Sequence, residues 1–331
     1  MESEIYEQNA ASKVFSRIGL SLSAILAVAI AVQLIAAGFF KSLLGADHPI
    51  WDSSWFTWLM SGLPMYMAAF PVGMLIMHKL PAKAPEEHKL GGMNGLVCFL
   101  ISVFFMYTGS ILGTVLSLLL SGGNATNAVA DMVLDNHPLK ILFVVILAPL
   151  IEEFVFRKQL IDRTRCYGEK VAAFLSALTF GLMHQNLYQF FYAFGLGLLM
   201  SYIYLRTGRL RYSTILHAII NFMGSVIAPW IIGLMDLEMI EGLDPNMPFE
   251  ELMELYTEIL PGLMVVMGYA MLLMGLFVAG LVLFIIKCRN LTWKNAAVQL
   301  PAGTAFRTVY CNLGMVIYGI LCLVMIILNL R

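Results

Sequence analysis

The sequence contains nine long apolar stretches separated by polar or charged segments. A helix needs about 20 mostly apolar residues to cross the hydrocarbon core of a bilayer. Only 12% of the 331 residues are charged and 60% are apolar, so the chain has too few charges to cover a water-soluble protein of this length. We therefore predict an all-α fold, a polytopic transmembrane helix bundle of about nine spanning helices. The stretches lie at residues 15–40, 55–79, 91–120, 139–158, 171–187, 188–206, 212–235, 262–286 and 308–330.

Lysine and arginine alternate between the connections of these stretches. Cytoplasmic connections collect these two residue types, and here they gather before the first stretch and in every even-numbered connection. The odd-numbered connections carry only Lys41 and Lys140, and the seventh, at about 236–261, is acidic. This pattern predicts a cytoplasmic N-terminus and requires that 171–187 and 188–206 form two helices.

The chain has no internal repeat and is predicted to form a single transmembrane domain over residues 1–331. Within it, we expect a short cytoplasmic N-terminal segment at 1–14, motif-bearing helices at 138–225, and an acidic extracytoplasmic loop at 236–261. The first stretch lacks a small-residue cleavage site and is interpreted as a retained helix, not a signal peptide. The five cysteines have no CxxC spacing and predict no disulfide framework or zinc knuckle.

Ionisable residues inside a membrane helix are costly and are candidates for function. Two adjacent acids, Glu152 and Glu153, lie near the end of the fourth stretch. Glu153 and Arg157 have i,i+4 spacing in the order that favours an ion pair. Glu152 is rotated by roughly 100° around the helix and needs another partner. The alternative is that both acids merely end the helix at the membrane interface.

Two of the six histidines, His184 and His217, lie inside apolar stretches. Phe180 and His184 share one helical face, and so do His217 and Asn221, because residues i and i+4 lie one above the other. A single histidine on an apolar face is more often a hydrogen-bonded packing residue, and this alternative applies to His184. Both histidines follow the Glu-Glu helix, which favours a common site.

A buried carboxylate is a competent general base for water, and an imidazole N–H with an asparagine amide can stabilise an oxyanion. These residues therefore fit peptide hydrolysis through Glu152, His184, His217 and Asn221. The alternative is a zinc site with Glu152, His184 and His217 as ligands and an open position for water. We favour no cofactor, since Asn221 is an uncommon zinc ligand. We expect the four groups to converge on one cavity within about 10 Å.

The motifs together resemble the CPBP intramembrane proteases, which include type II CAAX prenyl proteases and bacteriocin-processing enzymes. The resemblance rests on EEFVFR at 152–157, FGLMH at 180–184, the stretch 195–210 and HAIIN at 217–221. It implies that Glu152 activates the water with His184 assisting, and that His217 and Asn221 form the oxyanion site.

The resemblance further implies that Glu153 and Arg157 support the catalytic groups, and we expect the same of Phe180 in the second motif. Many members of the family have glycine after the arginine, where this chain has Lys158. The helices before 138 and after about 235 carry none of the family's motifs. The rival functions are a non-proteolytic bacteriocin-immunity or scaffold protein and, less well supported, an ion transporter with Glu152 as proton relay.

The expected partners are a lipid bilayer and a peptide or membrane-protein substrate, with no nucleic acid. We expect an integral protein of the cell membrane. Because Glu152 and His217 lie a few turns from basic connections, we expect the active site to open towards the cytoplasm.

Overall fold

The computed structural model of the chain describes residues 2–90, 94–127, 134–135, 137–235 and 247–330. This part consists of helices and their connections and contains no strand, so the predicted all-α fold is confirmed. In chain order the helices are α1 (Glu2–Leu44), α2 (Ser54–Met77), α3 (Gly95–Leu120), α4 (141–164), α5 (Glu169–Met183), α6 (Leu187–Thr207), α7 (Leu210–Ile232), α8 (Phe249–Cys288), α9 (Ala305–Tyr310) and α10 (Leu313–Leu328).

Five helices of the described residues are long and apolar enough to cross a membrane: α1 from Glu7 onwards, α2, α3, α7 and α8. The predicted count of nine spanning helices and the cytoplasmic N-terminus stay predictions. The division of 171–206 into two helices is present, because α5 ends at Met183 and α6 begins at Leu187.

Two predicted segments continue into helices. Residues 2–14 are part of α1, which begins at Glu2, and their cytoplasmic placement stays a prediction. Of the acidic stretch 236–261, residues 236–246 lie outside the described residues, and the part from Phe249 is the start of α8 and not a loop. Glu250 and Glu251 stand in the first turn of α8, where carboxylates favour a helix. Apolar runs mark the width of the bilayer, whereas a helix can continue beyond it.

The bundle has two distinct ends. At the first, Lys83 N–H donates to the Asp162 carbonyl (2.8 Å) and the Arg163 Nε–H donates to the Met77 carbonyl (3.0 Å), which joins the ends of α2 and α4. The end of α6 lies here too, since His88 N–H donates to the Thr207 carbonyl. We call this the basic end, because the Lys/Arg-rich connections lie there. We call the opposite end the corner end, because it contains the α5–α6 corner, residues 184–186. The start of α2 lies there too.

Small residues bring α3 and α6 into close contact. The backbone of Tyr192 lies directly against Gly109, and the Leu187 carbonyl lies against Gly113, so that a Cβ at either glycine would overlap them. Glycine pairs with this spacing allow such close approach between membrane helices. The two glycines therefore have a packing role, and the position of α6 against α3 is set by backbone contact.

The largest apolar cluster joins α1, α2, α4, α5, α6 and α10. Tyr318 of α10 is fully buried and donates its hydroxyl hydrogen to the Thr179 carbonyl of α5 (2.7 Å). The motif-bearing helices α4 to α7 are thus held from several sides.

Candidate active site

The two adjacent acids of α4 have different surroundings. The Glu153 side chain is fully buried, and its Oε2 lies 3.1 Å from Nε of Arg157, which is also fully buried. The predicted i,i+4 ion pair is therefore confirmed. The Glu152 side chain retains 20% exposure and lines a cavity. One carboxylate is neutralised by its own helix, and its neighbour is left for the cavity.

Arg157 connects α4 with α5 and α6. Its Nη1 donates to the hydroxyl of Ser176 (2.8 Å), which in turn donates to the Phe156 carbonyl (2.7 Å). The Ser201 hydroxyl of α6 lies 3.1 Å from that of Ser176. The guanidinium also lies over the ring of Phe180, 4.8 Å from its centroid, which adds a cation–π attraction. Arg157 thus neutralises the charge of Glu153 and connects three helices.

His217 of α7 lies between the two acids. Its Nδ1 is 3.2 Å from Oε1 of Glu153, and its Nε2 is 3.8 Å from Oε2 of Glu152. A carboxylate paired with arginine can only accept hydrogen bonds, so Nδ1 carries a hydrogen. The Nε2 atom faces the cavity and the free carboxylate. Glu153 therefore fixes the ring while Nε2 remains available for chemistry.

His184 is the C-cap residue that follows α5, and it lies at the corner end. Its Nδ1 is 2.9 Å from the Phe180 carbonyl, which can only accept, so Nδ1 is the protonated nitrogen and Nε2 of the neutral ring is an acceptor. The Phe180 ring packs edge to face against both histidines, with centroid distances of 5.0 Å to His184 and 5.7 Å to His217. Phe180 therefore separates and orients the two imidazoles.

Asn221 lies one turn after His217 and bonds to an irregular part of α4. Residues Ile141–Leu147 form a π-helical segment, in which Ala148 N–H donates to the Phe143 carbonyl. The next donor would come from Pro149, which has no N–H, so the Val144 carbonyl has no partner within its helix. The Asn221 Nδ2 donates to it (2.9 Å). One hydrogen of this amide is used structurally, and no hydrogen bond among the described residues uses the other.

The four candidate residues line one cavity of about 490 Å³. The cavity extends from Glu152 along α6 and α7 to Gln189, Ser225 and the start of α2 at Trp58. These last residues lie towards the corner end. The basic connections contribute no lining residue within the described part of the chain. The groups predicted to act together are therefore brought together, and the cavity that they line extends towards the corner end.

The zinc alternative requires three ligands around one point. Among the described residues, no three His, Cys, Asp or Glu side chains lie close enough together to hold a metal ion. Glu152, His184 and His217 share the cavity without forming such a group. The contact of His217 Nδ1 with the Glu153 carboxylate (3.2 Å) is the outer hydrogen bond that a ligand histidine would use.

Polar residues that the sequence motifs do not contain also line this cavity. Gln189 and Tyr192 are the clearest, and their side chains are hydrogen-bonded to each other (2.9 Å). Asn186 and Gln189 stand three residues apart at the start of α6, a spacing typical of helix capping. That spacing was a usable sequence signal for Gln189, whereas nothing in the sequence indicates that Tyr192 faces the cavity.

A comparison with protein families matches this same segment. Residues 135–223, which contain α4 to α6, most of α7 and all four candidate residues, match the family model described as type II CAAX prenyl endopeptidase Rce1-like. The segment is an Rce1-like domain. The family resemblance predicted from the motifs is therefore confirmed for this part of the chain.

Two bacterial proteins are similar to this chain in sequence. The "Putative membrane peptidase YdiL" of Bacillus subtilis (strain 168) is 24% identical over 165 residues, which are 47% of this chain and 66% of the relative. The "Membrane-embedded CAAX protease MroQ" of Staphylococcus aureus (strain USA300) is 35% identical over 91 residues, which are 25% of this chain and 37% of the relative.

The matches therefore span less than two thirds of each relative. No solved structure matches the chain. The apolar helices and the membrane peptidase relatives together identify the chain that carries the Rce1-like domain as an integral membrane protein.

Proposed function

We propose that the chain is an intramembrane endopeptidase whose Rce1-like domain hydrolyses a peptide bond with a water molecule activated by Glu152. The observation that supports this proposal is that the two adjacent acids, Glu152 and Glu153, have different partners. Glu153 is bonded to Arg157 and His217, while Glu152 faces a cavity shared with His184, His217 and Asn221. A free carboxylate beside two imidazoles is suited to general-base work.

The proposed reaction proceeds as follows. Glu152 takes a proton from water, assisted by the acceptor Nε2 of His184, and the hydroxide attacks the peptide carbonyl carbon. The carbonyl oxygen becomes an oxyanion, to which the Nε2–H of a protonated His217 and the free Asn221 N–H donate hydrogen bonds. Glu153 stabilises the protonated ring. When the C–N bond breaks, Glu152 returns its proton to the leaving amine.

The substrate is proposed to be a peptide or a membrane-protein segment that reaches the cavity from within the bilayer or at its surface. Membranes holding the wild-type chain or the Glu152→Gln variant should be compared by mass spectrometry for new protein C-termini. Termini that depend on Glu152 support a peptidase. A phenotype that persists in Glu152→Gln without any new terminus would instead indicate the non-proteolytic immunity or scaffold function.

We expect peptidase activity to persist without a bound metal. The purified chain in detergent should be analysed for metal, treated with a chelator and assayed. Activity should remain, because the general base and the oxyanion donors are protein groups and Asn221 suits an oxyanion better than zinc. Stoichiometric zinc, with activity lost on its removal and restored on its return, would favour the ligand set Glu152, His184 and His217.

We propose a direction of access from the residues that line the cavity, and not from the sequence distance between Glu152 and the basic connections. If the basic end is cytoplasmic, the corner end faces the other side of the membrane. The lining of the cavity by Gln189, Ser61 and Trp58 supports access from that side. This revises the expectation of a cytoplasmic opening.

We expect a cysteine at Ser61 to react with a membrane-impermeant maleimide on intact cells, after the exposed Cys288 and Cys311 are replaced by alanine. Ser61 lines the cavity towards the corner end. Lys83→Cys, on the exposed linker of the basic end, is the matched control and should react only after permeabilisation. The reverse pattern would restore the cytoplasmic opening.

A further inference from the structure

A continuous chain of hydrogen bonds leads from the corner end into the cavity. It begins at Asn186, the N-cap of α6, whose Oδ1 accepts the Gln189 backbone N–H (2.8 Å). The amide nitrogen Nδ2 must then lie on the other side of the group. It donates to the His184 carbonyl (2.7 Å) and to Oε1 of Gln189 (2.8 Å). The cap therefore fixes which way both amides point.

The orientation of the Gln189 amide determines the hydrogen-bonding role of the Tyr192 hydroxyl. Because its Oε1 faces Asn186, its Nε2 faces the Tyr192 hydroxyl, at 2.9 Å. An amide nitrogen can only donate, so the tyrosine oxygen accepts in this contact. The hydrogen of the Tyr192 hydroxyl must therefore be directed to another acceptor. Among the hydrogen bonds of the described residues, none uses this hydrogen within the protein.

Tyr192 is held in place, and its side chain faces the cavity of the reacting groups. Its side chain lines the same cavity as Glu152, His184 and His217. Its backbone packs directly on Gly109 of α3, where any larger residue would overlap it. The backbone of Tyr192 is held in place, and its hydroxyl hydrogen is directed away from Gln189. A tyrosine constrained in this way is a preorganised donor, and such donors stabilise developing negative charge well.

We propose that Tyr192 is a further catalytic residue, whose hydroxyl donates a hydrogen bond to the carbonyl oxygen of the substrate as that oxygen becomes an oxyanion. Asn186 and Gln189 are positioning residues that direct this hydrogen into the cavity. The inference rests on the proposed peptidase function, in which it adds a third donor to those of His217 and Asn221.

The test compares three variants of the purified chain in detergent with a peptide that the wild type cleaves. Tyr192→Phe should lower kcat by about 10²-fold with little change in KM, because an oxyanion donor acts in the transition state. Its thermal unfolding should match the wild type. Tyr188→Phe is the matched control: it lies one turn earlier on α6, and its hydroxyl bonds the Ala125 carbonyl outside the cavity. It should retain wild-type kcat.

Gln189→Glu separates catalysis from packing. A carboxylate oxygen in place of Nε2 accepts the Tyr192 hydrogen and turns it away from the cavity, so kcat should fall although the hydroxyl remains. The double variant with Tyr192→Phe should be no slower than Tyr192→Phe alone, because both changes remove the same hydrogen bond. Additive losses, or a Tyr192→Phe variant with wild-type kcat, would overturn the inference and leave the peptidase intact. A wild type that cleaves no peptide would overturn both.

Discussion

Replacing Glu152 by glutamine should lower the rate of peptide cleavage by about 10²–10⁴-fold, the usual contribution of a positioned general base. Glutamine has almost the same shape as glutamate but cannot take a proton from water. Glu152 makes no close ion pair within its helix and retains partial exposure to the cavity. The change should therefore leave folding nearly unaffected. Cleavage of a peptide by purified chain, with thermal unfolding measured in the same detergent, gives both quantities.

Glu153 cannot replace its neighbour in the variant. Its carboxylate is fully buried and engaged by Arg157 and His217, so it cannot reach a water beside a substrate without breaking the ion pair. This is why a single change at position 152 is expected to have so large an effect.

Glu250→Gln is a suitable control, because it makes the same chemical change on the exposed first turn of α8. It should leave activity unchanged and lower stability by no more than about 1 kcal/mol, the usual contribution of a carboxylate in the first turn of a helix. A Glu152→Gln chain with full cleavage activity would remove this residue from the mechanism. Equal loss of activity and of folded protein would indicate a structural role for Glu152.

Part of the site could be predicted from the sequence because it depends on spacing along single helices. The i,i+4 positions of Glu153 and Arg157 led directly to their ion pair, and the same spacing placed His217 and Asn221 on one face. The bond from Asn221 to Val144 was not predictable in this way. It arises from a π-helical segment and Pro149, which break the 3.6-residue periodicity on which the prediction rests.

The features that depend on the relation between helices were missed. Tyr192 reaches the cavity because α6 packs on a glycine of α3 and because Asn186, the N-cap of α6, orients Gln189. The direction in which the cavity extends was also not predictable, since the distance from Glu152 to the basic connections along the chain says nothing about where α2 and α6 leave space. Only the packed bundle contains that information.

The Arg157 network suggests the second large effect, which concerns stability. Arg157 and Glu153 are both fully buried, and the guanidinium also bonds Ser176 and lies over Phe180. Removing one partner of a buried ion pair leaves an uncompensated charge, which costs about 3–5 kcal/mol. Arg157→Ala should therefore lower the melting temperature in detergent and the amount of folded protein in the membrane, with activity falling in parallel.

The comparison with other variants tells whether the buried charge is the cause. The double variant Glu153→Gln/Arg157→Met removes both charges, keeps an acceptor for the His217 Nδ1–H and fills the space of the arginine stem, so it should be more stable than Arg157→Ala alone. Arg211→Ala is the control, because Arg211 is exposed and packs on Tyr212, and surface changes of this kind usually cost less than about 1 kcal/mol. An Arg157→Ala chain that melts like the wild type yet cleaves no peptide would contradict the structural role, and Arg157 would then belong to substrate binding. Recovery of folding in the double variant, but not in Arg157→Met alone, would assign the effect to the unpaired Glu153 carboxylate.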